Sequence, residues 1–295
     1  MTFDPEAVRE FERSSWNRNA AGYEASFAPA TTPFIAALLE AVGVGRGDRM
    51  LDVCCGSGRT AGAGAQRGAV ATGLDCSRAM VEVANREQPA ATFDEGDAEA
   101  LPYADSTFDA VVCNFGLHHV PRPTLALREA YRVLRPGGRC AFTVWTPGAE
   151  NIGLALVSEA IARHGDRNLT TAPPTGPDSV RSIEDSTRAL REAGFGRVRV
   201  STICQRWRLP NGRALFDALR VGTAGSSARI AAQPADALPA IIADVENNAA
   251  RYRDGEGIAV PMVAILAFGV KELPGCNQSP VDPQIAISSH PISDP

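Results

Sequence analysis

Residues 49–60, with the sequence RMLDVCCGSGRT, constrain the fold more than any other stretch of the chain. Leu51 and Val53 belong to a short apolar run that predicts a buried parallel strand. Gly56 and Gly58 end this strand, and the residues after them indicate a helix. A strand, a glycine turn and a helix N-terminus allow the backbone to approach a nucleotide-like ligand closely. We therefore expect an α/β fold with a ligand at this turn.

Two kinds of nucleotide ligand suit the glycine turn. Residues 56–61 match the dinucleotide pattern G-x-G-x-x-A, and Asp75 follows 19 positions after Gly56. Asp52 favours a different ligand, because a carboxylate before the glycines attracts a cationic amino group and repels a pyrophosphate. S-adenosylmethionine carries such an amino group. A nicotinamide-dependent oxidoreductase stays open as the alternative, although the sequence contains no Tyr-x-x-x-Lys pair for that chemistry.

Polar residues follow later predicted strands in the same way that Asp52 follows the first. Asp75 and Asn114 end two apolar runs, and Asp97 follows a third. The alternation of strands and helices over 49–146 predicts a mostly parallel sheet with helices on both faces. Because ligands bind such sheets at the carboxyl ends of the strands, we expect these four residues around one ligand.

Five segments of this region occur in a characteristic order: DVCCGSG (52–58), VATGLDCSRAM (70–80), EGDAEALPY (95–103), AVVCNFGLHHV (110–120) and AYRVLRPGG (130–138). Together they resemble the motifs of the class I S-adenosylmethionine-dependent methyltransferases. The chain is most similar to the type 11 branch, which includes the ubiquinone and menaquinone biosynthesis methyltransferases. The resemblance implies a Rossmann-like, doubly wound, seven-stranded and mostly parallel sheet with an antiparallel last hairpin and helical lid insertions.

The resemblance also implies that S-adenosylmethionine is the cofactor. Asp52 and the backbone from Gly56 to Gly58 would face its methionine part, and Asp75 would bind the ribose hydroxyls. Cys54 stands where the family has its first glycine. The implied cofactor contacts are Tyr23, Asp52, Cys54, Gly56, Gly58, Asp75, Cys76, Met80, Asp97, Ala98 and Asn114.

Within this set, the adenine and sulfonium ends have separate residues. Cys76 and Met80 would flank the adenine, and Asp97 and Ala98 would meet its amino edge. Asn114 would lie near the sulfonium. Met80 is equally compatible with a place in the core, because it lies on an apolar helix face.

His118 and His119 follow the strand that ends at Asn114, where the transferred methyl group is expected. Either could accept a proton from the methyl acceptor as a general base, and we favour His119. The alternative is that these side chains only cap or pack the next helix. Neither their spacing nor their neighbours in the sequence suit a metal site, so we predict no metal.

The motifs also divide the chain. Two helices are expected before the first strand: one over 5–28, with Tyr23 touching the cofactor, and one that begins at Pro33 with Thr32 as its N-cap. The predicted parts are a helical cap (1–48), a cofactor-binding core (49–147), the rest of the sheet with substrate-selecting insertions at about 148–180 and 210–257 (148–271), and a disordered tail (272–295).

Composition limits the partners of these 295 residues. A net charge of −5 gives no basic surface for nucleic acid, and no apolar run approaches the length of a membrane span. Seven cysteines without a C-x-x-C pair indicate reduced thiols in a cytoplasmic protein. We expect a small-molecule methyl acceptor, no nucleic acid, and a monomer or homodimer. A methyltransferase-fold protein that binds the cofactor without turnover is a second alternative.

Overall fold

The computed structural model describes residues 2–147, 150–174, 176, 178 and 180–273, so most of the predicted disordered tail lies outside the described residues. The strands are β1 (Arg49–Val53), β2 (Val70–Asp75), β3 (Thr92–Glu95), β4 (Phe108–Asn114), β5 (Leu134–Trp145), β6 (Gly196–Leu209), β7 (Arg253–Asp254) and β8 (Gly257–Val270). The α-helices are α1 (Pro5–Gly22), α2 (Ala28–Thr31), α3 (Ile35–Val42), α4 (Arg59–Gln66), α5 (Arg78–Glu87), α6 (Pro123–Val133), α7 (Ile152–His164), α8 (Ile183–Glu192), α9 (Gly212–Gly222), α10 (Gly225–Ala231) and α11 (Leu238–Ala249).

The strands form one twisted sheet in the order β3-β2-β1-β4-β5-β8-β6. The first five strands pair in parallel, whereas β8 is antiparallel to both β5 and β6. The predicted seven-stranded sheet with an antiparallel last hairpin is confirmed, and the two-residue β7 adds a short eighth strand against β8. Strand order reverses at β1, which lies between β2 and β4, and such a reversal opens a crevice at the carboxyl ends of the strands.

Alternating apolar side chains bury both faces of the sheet. Leu51 and Val111 belong to a core with α6 and α8 on one face, and Met50 and Val112 belong to a core with α3 and α4 on the other. A third core, which includes Trp207 and the helices α7, α9 and α11, lies beyond the end of β5. This third core joins the helical insertions to the sheet, so both can shape one cavity.

The N-terminal region forms one helical run from Pro5 to Val42 instead of two separate helices. A π-helical turn (Tyr23–Phe27) and a 3-10 turn (Thr32–Phe34) join α1, α2 and α3 without a break. The prediction of Thr32 as an N-cap is wrong, because its hydroxyl donates to the carbonyl of Ala28 at 2.8 Å inside the run. By length and composition alone this run could cross a membrane, but half of its most apolar window is buried within the protein.

Candidate active site

A cavity of about 1100 Å³ opens at the carboxyl ends of β1, β2 and β4. Ligand pockets usually measure about 300–1,000 Å³, so this one has room for a nucleotide-sized cofactor and a second molecule. All of the predicted site residues except Asp52 and Gly58 line it: Tyr23, Cys54, Gly56, Asp75, Cys76, Met80, Asp97, Ala98, Asn114, His118 and His119. Residues separated by almost a hundred positions are therefore brought to one site.

The glycine turn after β1 has three residues with a left-handed backbone: Cys54 (φ +56°), Gly56 (φ +53°) and Gly58 (φ +77°). A Cβ on Gly58 would lie 2.6 Å from the Phe93 ring. Only glycine suits this position, because the backbone is left-handed and a side chain would collide with that ring. Gly58 does not line the cavity; it lets α4 begin close to β3. The aromatic ring of Tyr23 lies 3.7 Å from the position a Cβ on Gly56 would take. The N-terminal helical run therefore packs against the glycine turn through Tyr23.

Cys54 adopts the left-handed backbone in place of the family's first glycine. Its thiol is hydrogen-bonded with Cys113, and this bond together with burial raises the pKa of Cys54 well above its usual value. Burial also raises the pKa of Cys55 and of Cys76, the latter to about 12. These thiols are therefore protonated at neutral pH and act as small apolar side chains of the turn.

Asp52 lies buried behind the turn, beside a small void of about 30 Å³ that Gly56 and Asn114 also line. Its Oδ2 accepts a hydrogen bond from the backbone N–H of Ala61 at 3.0 Å, near the start of α4. Its Oδ1 has no hydrogen-bond partner among the described residues. Burial raises the pKa of Asp52 to about 8. A cationic amino group at this position would supply both the missing partner and the compensating charge.

Asp75 ends β2 and is also buried. Its Oδ2 accepts from the backbone N–H of Gly56 and its Oδ1 from that of Ser77, each at 2.9 Å. Each carboxylate oxygen can accept a second hydrogen bond, so the group retains capacity for two hydroxyl donors. Burial raises the pKa of Asp75 above its usual value. The hydrogen bond from Gly56 therefore joins the glycine turn after β1 to the end of β2.

The predicted adenine side lies between β2 and α1. Met80 is buried against Trp16, Ala20 and Tyr23, so it serves as core and cavity wall at once. Asp97 is fixed by two contacts: its Oδ1 accepts from the Glu99 N–H at 2.8 Å, and its Oδ2 lies 3.0 Å from Arg9 Nε. The roles of Asp97 and Ala98 at an adenine stay predictions.

Arg9 and Glu99 are site-forming residues that the sequence analysis missed. The Glu99 carboxylate is buried, and its Oε2 pairs with Arg9 at 2.7 Å and with Arg122 at 2.6 Å. This network holds α1 over the loop that follows β3. The sequence gives little indication of the contact between Arg9 and Glu99, because an Arg in an amphipathic helix usually lies on a solvated face.

Asn114 and Tyr23 meet at Thr31. Asn114 Nδ2 donates to the Thr31 carbonyl at 3.3 Å, and the Tyr23 hydroxyl lies 3.1 Å from Thr31 Oγ1. Asn114 Oδ1 accepts from Thr143 Oγ1 at 2.7 Å. Both side chains are thus held by the protein itself at the end of β4, and they form a rigid wall of the cavity.

The two histidines have different surroundings. His119 Nδ1 lies 3.1 Å from Glu12 Oε2, and the same carboxylate oxygen accepts from Trp16 Nε1 at 2.9 Å. His118 is half-buried, and its buried Nδ1 atom has no partner among the described residues. Burial, with the nearby charges of His119 and Arg181, lowers the pKa of His118 well below its usual value. His118 is therefore a neutral imidazole.

A mostly parallel sheet with acids at its strand ends, a glycine turn and a cavity of about 1100 Å³ are typical of α/β proteins that bind a nucleoside cofactor. A family model described as a methyltransferase domain matches residues 51–142. The YcgJ protein of Bacillus subtilis has a similar fold, with a TM-score of 0.52 and 24% identity over 81% of this chain and 98% of its own.

One curated relative identifies the family, and a second is similar over a shorter stretch. The ubiquinone/menaquinone biosynthesis C-methyltransferase UbiE of Bradyrhizobium diazoefficiens is 36% identical over 189 residues, 56% of this chain and 74% of its own. A demethylmenaquinone methyltransferase of Renibacterium salmoninarum is 44% identical over 102 residues, 35% of this chain and 43% of its own. This chain belongs to the class I S-adenosylmethionine-dependent methyltransferases. It spans 43% of the length of the Renibacterium relative, and 60% and 63% of two further demethylmenaquinone methyltransferases, from Paenarthrobacter aurescens and Beutenbergia cavernae.

Proposed function

We propose that the protein transfers the methyl group of S-adenosylmethionine to an oxygen, nitrogen or carbon atom of a small or medium-sized organic molecule. The observation that carries this proposal is the pair of buried carboxylates, Asp52 and Asp75, on either side of the Gly56 turn. One has an unpartnered oxygen behind the turn, and the other has free acceptor capacity beside the cavity. UbiE, the relative from Bradyrhizobium diazoefficiens, supports the same activity by its name.

The chemistry of these donor and acceptor groups fits the cofactor. Asp52 Oδ1 would receive the amino group, and the Asp75 carboxylate would receive the two ribose hydroxyls. Apolar side chains such as Met80 suit a flat base. A pyrophosphate suits this arrangement poorly, because it offers no donor to Asp52 Oδ1 and is repelled by either acid in its ionised form. The nicotinamide-dependent alternative is therefore not favoured.

When bound, S-adenosylmethionine supplies a methyl group on positively charged sulfur. The chain's own task is then to align the acceptor and to exclude water. Buried Phe27 and half-buried Trp145 and Leu154 provide an apolar wall for this purpose at the end of β5 and the start of α7. We infer that the insertions around α7 and around α9 to α11 select the acceptor, because they form the far side of this wall.

An oxygen or nitrogen acceptor must lose a proton, and we propose His119 as the base. Glu12 Oε2 contacts both Trp16 Nε1 and His119 Nδ1 on one side of the imidazole. Trp16 Nε1 can only donate, so this carboxylate oxygen acts as an acceptor. His119 Nδ1 therefore carries the hydrogen directed at Glu12, and Nε2 is free to accept a proton. His118 is the second candidate, because its neutral ring also lines the cavity.

The partners and location follow from the same proposal. We infer a small-molecule acceptor, a cytoplasmic protein, and a monomer or homodimer without nucleic acid. Among the described residues, no group of three or more His, Cys, Asp or Glu side chains is arranged to hold a metal ion. The names of the two relatives make quinone precursors reasonable first acceptors to try.

The proposal is tested with S-adenosylmethionine labelled in its methyl group. The full chain is incubated with this cofactor and a panel of phenols, amines and quinols, and labelled product and S-adenosylhomocysteine are both measured. Product formed in equal amount to S-adenosylhomocysteine is the expected result. Cofactor binding without transfer to any member of the panel would instead favour the binding protein without turnover.

A further inference from the structure

The half of the cavity beyond Asn114 forms a chamber, the acceptor chamber, lined by Phe27, Trp145, Asn151, Leu154, Ile161 and Ile230. Trp145 ends β5, and its indole is stacked on Phe115 with ring centroids 3.7 Å apart. Because Trp145 is only partly buried and lines the cavity, it offers an aromatic surface to a ligand. The chamber is therefore suited to the apolar body of a ring compound.

Asn151 is a polar member of this lining. It is 1% exposed and lies at the N-cap of α7, but its side chain caps no backbone N–H of that helix. Its Nδ2 donates to the carbonyl of Val263 on β8 at 3.3 Å. This bond fixes the amide orientation, because a flipped amide would set Oδ1 against the carbonyl oxygen. Asn151 Oδ1 has no hydrogen-bond partner among the described residues.

Three hydroxyls of the cavity lining, by contrast, are satisfied within the protein. The hydroxyls of Thr146, Ser158 and Thr223 each donate to a backbone carbonyl, at 3.2, 3.1 and 2.9 Å. A buried acceptor without a partner is unfavourable, so Asn151 Oδ1 favours a donor from outside the described residues. A ligand that fills the chamber can supply it.

We propose that Asn151 determines acceptor specificity: its Oδ1 accepts a hydrogen bond from a hydroxyl or N–H group of a ring compound whose apolar face lies against Trp145. This inference rests on the proposed methyl transfer. The hydrogen bond places the donor-bearing edge of the ring at the start of α7. An otherwise identical ring without the donor leaves Oδ1 unpaired, and a site built on a buried polar group rejects such a ring strongly.

Asn151→Leu tests this assignment. The substitution removes Oδ1 and Nδ2 but does not orphan the Val263 carbonyl, which still accepts from the backbone N–H and the hydroxyl of Thr146, each at 3.2 Å. The variant is therefore expected to fold. Ser158→Ala is the matched control, because Ser158 lies on the same helix and lines the same cavity, with its hydroxyl already satisfied.

The probes are 2-naphthol, which has a hydroxyl donor, and 2-methoxynaphthalene, which does not. Their dissociation constants are measured by calorimetry on the full chain, with and without saturating S-adenosylhomocysteine. The wild type and Ser158→Ala should bind 2-naphthol about tenfold more tightly than the ether, and Asn151→Leu should bind both about equally. Asn151→Ala, measured in the same way, should also lose the preference.

Three results would overturn the assignment: equal binding of both probes by the wild type, an unchanged preference in both Asn151 variants, or no binding of either probe. Binding of S-adenosylhomocysteine is recorded for every variant and should be the same in all of them. If that binding is normal while the preference is absent, the specificity role fails and the proposed methyl transfer does not. If S-adenosylhomocysteine does not bind to the wild type, the proposed function itself fails.

Discussion

The Nδ1 atom of His119 lies 3.1 Å from the Oε2 atom of Glu12, and this contact connects the first helix to the end of β4 across the cavity. Trp16 donates to the same carboxylate oxygen, and its ring packs edge-on against His119 with centroids 5.2 Å apart. The helix α1 therefore does more than cover the site. It fixes the orientation of the side chain that we propose as the base.

Replacing His119 by Ala should lower the turnover of an oxygen or nitrogen acceptor by about 10²–10⁴-fold, the usual contribution of a general base. The affinity for S-adenosylhomocysteine should change little. Steady-state rates and calorimetric titration of the same preparation check both statements. Glu12→Gln is the companion variant: it keeps the shape and loses the charge, so it should lower turnover less. An undiminished rate in His119→Ala would remove this residue as the base.

Replacing Asp75 by Ala should weaken S-adenosylhomocysteine binding by about 1–3 kcal/mol, because charge-assisted hydrogen bonds to the ribose hydroxyls are lost. Glu95→Gln is the matched control, since Glu95 ends the neighbouring strand in register with Asp75 but is exposed and does not line the cavity. The control should bind as the wild type does. Equal affinity of the Asp75 variant and the wild type would exclude Asp75 from the site.

Binding of S-adenosylhomocysteine should become tighter as the pH rises from 6 to 8. The pKa of Asp52 is raised to about 8 by burial, so the carboxyl is protonated below that pH, and the cationic amino group favours its charged form. The proton must therefore leave on binding, and affinity should gain up to about tenfold per pH unit until it levels off above pH 8. Asp52→Asn should bind more weakly and show none of this dependence, whereas equal wild-type affinities at pH 6 and 8 would contradict the role of Asp52.

The stability of the free protein should respond to Asp52 in the opposite direction. A folded-state pKa above the unfolded value means that the native state holds the proton more tightly. The contribution of Asp52 to stability is thus fully present below the ordinary carboxyl pKa of about 4, declines as the pH rises from there, and is lost above about 8. Asp52→Asn should gain stability relative to the wild type at pH 8.5 and lose most of this advantage near pH 4, as urea unfolding at both pH values can show. A constant difference would argue against a buried, protonated Asp52.

Gly58→Ala should destabilise the protein by about 1–3 kcal/mol, because the position combines a φ of +77° with a Cβ site 2.6 Å from the Phe93 ring. Gly45→Ala is the control, since a Cβ there meets nothing within 4 Å and the backbone does not require glycine. Thermal unfolding should show a lowered midpoint only for the first variant. Equal midpoints would mean that the turn relaxes at no cost.

Much of the sheet and the core of the site could be predicted because their signals are local. Asp52 and Asp75 lie at the carboxyl ends of β1 and β2, Gly56 follows β1, and parallel strands bring such positions to one edge. The path of the N-terminal run could not be predicted in this way. Thr32 and Pro33 have the local features of a helix start, but the structure continues the helix through them with a 3-10 turn.

The contacts that the sequence analysis missed join residues far apart in the chain. Arg9 and Glu99 are 90 positions apart, and His119 and Glu12 are more than 100 apart. Nothing near Glu12 distinguishes it from the other charges of an amphipathic helix. Asn151 follows the end of β5. Its proposed role rests on its burial and on an Oδ1 atom without a partner among the described residues, and both are properties of the folded chain.

The most direct test of the account is a calorimetric titration of the full chain with S-adenosylhomocysteine, with NAD and NADP titrated in parallel. We predict binding of S-adenosylhomocysteine at micromolar affinity and no binding of either nicotinamide nucleotide. Binding of NAD or NADP without S-adenosylhomocysteine would contradict the assignment of the Asp52 and Asp75 site and restore the oxidoreductase alternative.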